Sequence, residues 1–301
     1  MNRLLSPKQV AQAIGASESS MKRWCDQGLL ETVKTAGGHR RIPLHEVLKF
    51  VREQNHEVIE PLLLGLPATE DRKARRFPEC AIRFTDALLD DNETACRTIV
   101  FDLFLAGHPI SQIFDDVVAV ALRAIGEKWE CHKAEIYQER CACQIVVRVL
   151  HELLAKQPPP DTQRLALGAT IEGDHYTLPV TMSKVVLRAA GWDARLLGTS
   201  IPLSSMALAI EKKGPQLFWL SVSYIPDEAV FLLGFRRLMD AAAAAQTSVV
   251  VGGRVLTAEL KFQLHGSILC ESMRQLEADS QALLSRPPVP TSKPSPRLKS
   301  P

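Results

Sequence analysis

The 301-residue sequence predicts a multidomain α plus α/β protein: a winged helix-turn-helix, then a helical bundle, then a doubly wound parallel sheet. Three observations predict this. Positive charge gathers at the start of the chain. The apolar residues keep helical spacing through the middle, then break into short continuous runs separated by helical stretches. Proline-bearing segments punctuate the joins. The composition, 46% hydrophobic and 23% charged, excludes a wholly disordered or fibrous chain. No apolar run is long enough to span a bilayer and no signal-peptide core opens the chain, so a cytoplasmic protein with no membrane partner is expected. Seven dispersed cysteines, an odd number, do not describe a disulfide scaffold.

The first region is 1–57. Residues 1–52 carry nine Lys or Arg against four Asp or Glu, a surplus of five where the whole chain has two, so the remainder is slightly acidic. That asymmetry suggests a nucleic-acid-binding head on a neutral body. LSPKQVAQAIG reads as a short helix opened by Ser6 and Pro7 and closed at Gly15. SESSMKRWCDQGLL reads as a second, capped by Ser17 and stopped at Gly28. Two short helices across a tight turn make a helix-turn-helix, whose second helix enters the major groove. Ser19, Ser20, Lys22 and Arg23 are its polar positions. In TVKTAGGHRRIP, Gly37 and Gly38 allow a hairpin tip from which His39, Arg40 and Arg41 project, a basic wing suited to phosphates. Trp24 is expected in the small core.

Residues 58–78 mix Pro, Gly and charge and read as a linker. From 79 to 156, sets such as Ile113, Phe114, Val117, Val118, Ala121, Leu122 and Ile125 make apolar helical faces, enough for four bundled helices. QPPPD at 157–161 ends them. In 162–285, LALGATI, ARLLGT, QLFWLSVS and TSVVVGG alternate with helical stretches, the pattern of a Rossmann-like parallel sheet covered on both faces. Ligands in such sheets bind at the carboxyl ends of the strands. The stretch 286–301 has too little apolar surface to fold and reads as a disordered tail.

The head, SPKQVAQAIGASESSMKRWCDQGLL followed by TAGGHRRIPLHEV, resembles the MerR-type winged helix and its excisionase-like relatives. The resemblance implies binding to double-stranded DNA, usually as a homo-oligomer. The body, with AIGEKWECHKAEIYQERCACQIV, then ATIEGDHYTLPVTMSKVVLRAAGWDARLLGTSIPLSSM, SVS and Gly252-Gly253, resembles the helical cap and cobalamin-binding domain of methionine synthase-type modules. The complete order resembles the cobalamin-dependent photoreceptor repressors of the CarH/LitR group. That implies cobalamin as the cofactor, but the ligand motif is degenerate. In the family's DxHxxG, the acidic position corresponds here to Asp174, the cobalt-ligand position to Tyr176 and the final glycine to Pro179. His175 stands one place early and is the only metal-ligand candidate. Trp129 matches the aromatic that covers the corrin. Glu139 matches the acidic member of a Glu-His pair whose histidine position is Arg140. Ser221, Gly252 and Gly253 match positions that line the nucleotide tail.

Cys131, His132, Cys141 and Cys143 lack structural-zinc spacing and are expected as small core residues. No nucleophile elbow, zincin or phosphate-loop motif occurs, so no enzyme is expected. The reading is a DNA-binding transcriptional regulator whose cobalamin-binding-like module senses a ligand or controls oligomerisation. Two alternatives stand beside it. One is a regulator whose body has lost cobalamin and binds another tetrapyrrole, a small molecule or a protein. The other is an interaction protein with no DNA role.

Overall fold

A computed structural model describes residues 3–68, 76–131 and 135–285. The chain divides into two compact units. The first holds the residues up to Pro160, together with Thr181–Ala189 and Ser272–Arg274; the second holds the rest from Asp161 onward.

The first unit opens with β1 (Leu4–Leu5), α1 (Pro7–Ala13) and α2 (Glu18–Asp26). Ser6 closes a reciprocal cap on α1: its Oγ accepts from Gln9 N at 3.2 Å, and Gln9 Oε1 accepts from Ser6 N at 2.9 Å. Ser17 Oγ accepts from Ser20 N at 3.0 Å and starts α2. Gly28, at φ +75, turns the chain out of α2. β2 (Val33–Lys34) and β3 (Arg40–Pro43) form the hairpin, β1 adds on the far side of β3, and α3 (Leu44–Glu53) follows. Val10, Met21, Leu30, Ile42, Val47 and Val51 are buried between these elements. Trp24 is only half-buried, in a ring cluster with Phe50 at 5.0 Å and His56 at 5.1 Å.

The stretch expected to be a plain linker is partly built into this head. A 3-10 turn at Pro61–Leu64 packs on α1, and the N–H groups of Ile59 and Glu60 both donate to Ala13 O, at 2.8 and 3.0 Å. Val58, Leu64 and Leu66 are buried. The cause is the apolar run PLLLGL, which the proline and glycine signals masked. Residues 69–75 and the tail 286–301 lie outside the described residues.

Four helical rods follow: α4 (Phe77–Leu89), α5 (Glu93–Leu105), a rod made of α6 (Ile110–Ile113), a π turn (Phe114–Val118) and α7 (Ala119–Glu130), and α8 (Ile136–Lys156). Their apolar stripes meet at Phe84, Val100, Phe114, Ile125, Ile145 and Leu153. A forked pair from Arg97 to Glu152, at 2.6 and 2.8 Å, ties α5 to α8. Arg52 of α3 reaches the carboxyl end of α5, donating to Phe104 O at 3.1 Å and His108 O at 3.2 Å and lying over the Phe104 ring at 4.3 Å. Lys156 Nζ donates to Gly65 O at 3.2 Å. The cysteines depart from expectation: Cys131 and Cys141 are exposed and Cys143 is half-buried, because they sit on the outer side of the apolar stripes. His132 lies outside the described residues. Among the described residues no group of three His, Cys, Asp or Glu could hold a metal ion.

The second unit carries β4 (Asp161–Ile171), β5 (Trp192–Ile201), β6 (Leu217–Ser221), β7 (Ser248–Gly252) and β8 (Ile268–Cys270), all parallel, in the spatial order β5-β4-β6-β7-β8. The helices that alternate with these strands along the chain are α9 (Thr177–Ala189), α10 (Leu203–Lys213), α11 (Glu228–Ala244), α12 (Ala258–Gln263) and α13 (Met273–Leu284), of which Thr181–Ala189 and Met273–Arg274 belong to the first unit. Strand order reverses between β4 and β6, which opens a crevice at their carboxyl ends. Leu167, Ala169, Phe218, Leu220, Val249 and Val251 share one sheet face with Met206, Phe231, Phe235 and Leu260. By alternation, Gly168, Thr170, Trp219, Ser221 and Gly252 belong to the other face.

Candidate DNA interface and ligand crevice

The head presents polar side chains on two adjoining elements. Ser19, Lys22 and Arg23 are exposed on α2, and Ser20 is half-buried. Ser17 Oγ lies 2.8 Å from Ser19 Oγ and donates to Ser20 Oγ at 3.0 Å, which orders the start of the helix. On the hairpin, Thr35 N donates to His39 O and Gly38 N to Thr35 O, at 3.0 and 2.8 Å. Gly38, at φ +77, completes the tip, and His39 is exposed. Arg41 is half-buried and donates to Arg40 O at 3.1 Å. Arg40 is tied down: its Nη1 meets Asp26 Oδ1 at 2.9 Å, bridging the wing to the end of α2. Four of the seven expected DNA contacts, Ser19, Lys22, Arg23 and His39, are thus exposed, while Ser20 sits in the cap, Arg40 bridges wing and helix, and Arg41 is half-buried.

The crevice of the second unit is built around Asp174, which is fully buried. Its Oδ1 accepts from Tyr176 N at 3.0 Å and its Oδ2 from Ser223 N at 2.6 Å. The carboxylate therefore joins the loop after β4 to the loop after β6, across the strand-order reversal. Asp174 O accepts from Thr170 Oγ1 at 2.5 Å and from Ser200 N at 3.1 Å, and Gly173 N donates to Ser200 Oγ at 3.0 Å. Ser200 holds φ +54 within this knot, a left-handed conformation that the surrounding bonds enforce.

His175 is exposed. Tyr176, at the position the resemblance assigns to the cobalt ligand, is 39% exposed and already engaged: Arg254 Nη2 donates to its Oη at 3.0 Å, and the Arg254 guanidinium lies 4.7 Å from the ring centre. Sequence reading missed Arg254. Its only signal was an arginine following the Gly252-Gly253 pair. Those glycines are explained by neighbouring backbone. A Cβ on Gly253 would lie 1.9 Å from Val222 O, and one on Gly252 would lie 3.0 Å from Cys270 O. Ser221 is different. It is 5% exposed, and its Oγ, at the carboxyl end of β6, has no protein hydrogen-bond partner. Below it, Trp219 fills the space over Gly168, where a Cβ would meet the indole at 1.9 Å.

In the first unit, Trp129 is 45% exposed at the end of α7, and Ile136 and Tyr137 are exposed at the start of α8. Glu139 accepts from Cys143 Sγ at 3.4 Å and pairs with Arg140 at 3.4 Å. Burial, with Glu139 beside it, pushes the Cys143 thiol up to about 12. Arg140 offers no lone pair to a metal.

The fit to a corrinoid is therefore divided. The unpartnered Ser221 hydroxyl suits a buried polar ligand group. The donor set of this loop does not suit a bond to cobalt: the position that the resemblance assigns to the ligand carries a phenol, and both Asp174 oxygens are bonded to amides.

The chain matches a helix-turn-helix domain model over residues 4–55 and two B12 binding domain models, over 82–154 and 164–270. It is 30% identical over 182 residues to the HTH-type transcriptional repressor CarH of Myxococcus xanthus, a match covering 60% of this chain and 59% of that protein. The monomethylamine corrinoid protein of Methanosarcina barkeri superposes with a TM-score of 0.56 at 15% identity, covering 69% of this chain and 100% of that one, which shows a shared fold.

Proposed function

We propose that this chain, whose architecture is the CarH-like helix-turn-helix followed by cobalamin-binding domains, is a DNA-binding transcriptional regulator with a cobalamin-binding-like sensing module. The observation that carries it is the pairing of an ordered, exposed α2 surface with a basic hairpin held at a set angle by the Arg40–Asp26 bridge. Lys22, Arg23, His39 and Arg41 supply phosphate contacts, and Ser19 and Ser20 stand at the end of α2 that faces base edges. Match of the head to a helix-turn-helix model and likeness to a repressor support this reading.

The matches to B12 binding domains support a corrinoid, cobalamin in particular, as ligand of the body. Ser221 and the Gly252-Gly253 turn would line it in the α/β unit, and Trp129 and Glu139 are the cap residues the resemblance assigns. Bound cobalamin would supply cleavable cobalt chemistry. What this chain's residues do is hold the ligand and convert its presence into a change in head geometry or in homo-oligomer assembly, and so in the number of heads on DNA. Likeness to a repressor supports a regulator over an enzyme. A body that binds another tetrapyrrole, a small molecule or a protein is the second reading, favoured by Tyr176.

The test is duplex-binding anisotropy of the full chain across ionic strength, with and without adenosylcobalamin in dark and light. Salt-sensitive binding that Lys22→Ala and Arg23→Ala weaken is expected. No affinity for any duplex at low salt overturns the regulator reading. Binding unaltered by cobalamin leaves the second reading of the body.

A further inference from the structure

We infer that the α/β unit closes its crevice with a Tyr176–Arg254 latch in place of a protein–cobalt bond, so that a corrinoid is held without a cobalt ligand from the loop after β4. The inference rests on reading that unit as the sensing module and concerns how the module is held shut.

Three observations point the same way. The first is chemistry. The position that would present an imidazole presents a phenol, and its oxygen already accepts from Arg254 at 3.0 Å with the guanidinium against the ring. Turning the phenol toward a metal breaks both contacts. The second is backbone placement. Tyr176 N is bonded to the fully buried Asp174, so the loop is pinned one residue past His175. Sliding His175 into the ligand position would strip an amide from a buried carboxylate, and a hydrogen bond to a charged group contributes more than one between neutral groups. The third is the other carboxylate oxygen. In a histidine-ligated site an acid orients the imidazole through its second nitrogen. Here Asp174 Oδ2 is 2.6 Å from Ser223 N and holds the next loop instead.

Together the pinned loop and the latch join three strand ends. Asp174 follows β4, Ser223 follows β6, and Arg254 follows β7. Ligand entry is then an exchange, in which an incoming group must displace the Arg254–Tyr176 contact.

Two measurements test this, neither of which depends on DNA binding. In the first, the full chain, labelled with ¹⁵N-histidine, is mixed with cob(II)alamin and its electron paramagnetic resonance spectrum recorded. With cobalamin bound, the wild-type spectrum is expected to match that with unlabelled protein, and a wild-type chain that binds no cobalamin overturns the statement that a corrinoid is held. Tyr176→His with Arg254→Ala is expected to bring a histidine nitrogen onto cobalt, read as a label-dependent change in the hyperfine splitting. Tyr176→His alone serves where the double variant does not fold. A label-dependent splitting in wild type, lost in His175→Ala, overturns the inference. So does its absence from every folded Tyr176→His variant. In the second, amide hydrogen exchange of the ligand-free chain is compared with that of Arg254→Ala. Exchange across residues 172–177 is expected to quicken about tenfold, with the sheet unchanged, and an unchanged loop overturns the latch.

Discussion

Both oxygens of the Asp174 carboxylate bond to backbone amides, at 3.0 and 2.6 Å, in a place without solvent. Asp174→Asn keeps the shape but turns one acceptor into a donor facing an N–H. A loss of about 1–3 kcal/mol is expected from that buried mismatch, measured by urea unfolding of the full chain. Cys96 gives a prediction of opposite origin. Burial, with Glu93 nearby, pushes its thiol from 9.0 up to about 12. The folded state therefore keeps a proton that the unfolded state gives up above pH 9. Stability is constant in this respect below pH 9 and falls as pH rises from there toward 12. The urea midpoint of wild type should decline over that window, and Cys96→Ala should decline less steeply. Part of this scale was legible in the sequence, including the caps at Ser6 and Ser17. Arg254 was not, because its partner lies 78 positions away and nothing local marks a contact of that range.

Gly168 and Trp219 sit side by side on adjacent strands, and the indole takes the room a β-carbon would need. Gly168→Ala should cost about 1–3 kcal/mol through overpacking, visible as a lower thermal midpoint of the α/β unit. At the other end of the chain, Arg52 meets two carbonyls and an aromatic ring at the end of α5, where the helix dipole favours a cation. Arg52→Ala should lower stability by about 1–3 kcal/mol. It should also separate a lower-melting head transition from that of the bundle in calorimetry. The long elements were readable because burial imposes a period: three- and four-residue spacing in α8, continuous apolar runs in β4, β6 and β7. The short β8 was missed, since ILC is too brief to carry a period. The turn at Pro61–Leu64 was hidden by residues that elsewhere mark loops.

The regulator reading predicts that charge in the head acts through ion release from DNA. Lys22→Ala, Arg23→Ala and Arg41→Ala should each weaken duplex binding and reduce the slope of log affinity against log salt by up to about 0.9, measured by anisotropy titration. Arg40→Ala should behave differently. Its charge is neutralised by Asp26, so affinity should fall through loss of wing angle with the slope nearly unchanged. The order of regions and the charge asymmetry were both evident in the sequence. The closeness of head to cap was not, because Arg52 and Lys156 meet partners 52 to 91 positions away. One detail bears on anyone who wants the DNA reader by itself. The final carbonyl of the first helix depends on amides at 59 and 60, and Leu64 and Leu66 shield the same corner from water. A clone stopped at the last turn of α3 would leave a raw hem and fray from it, whereas one carried through to Ala68 keeps the stitching.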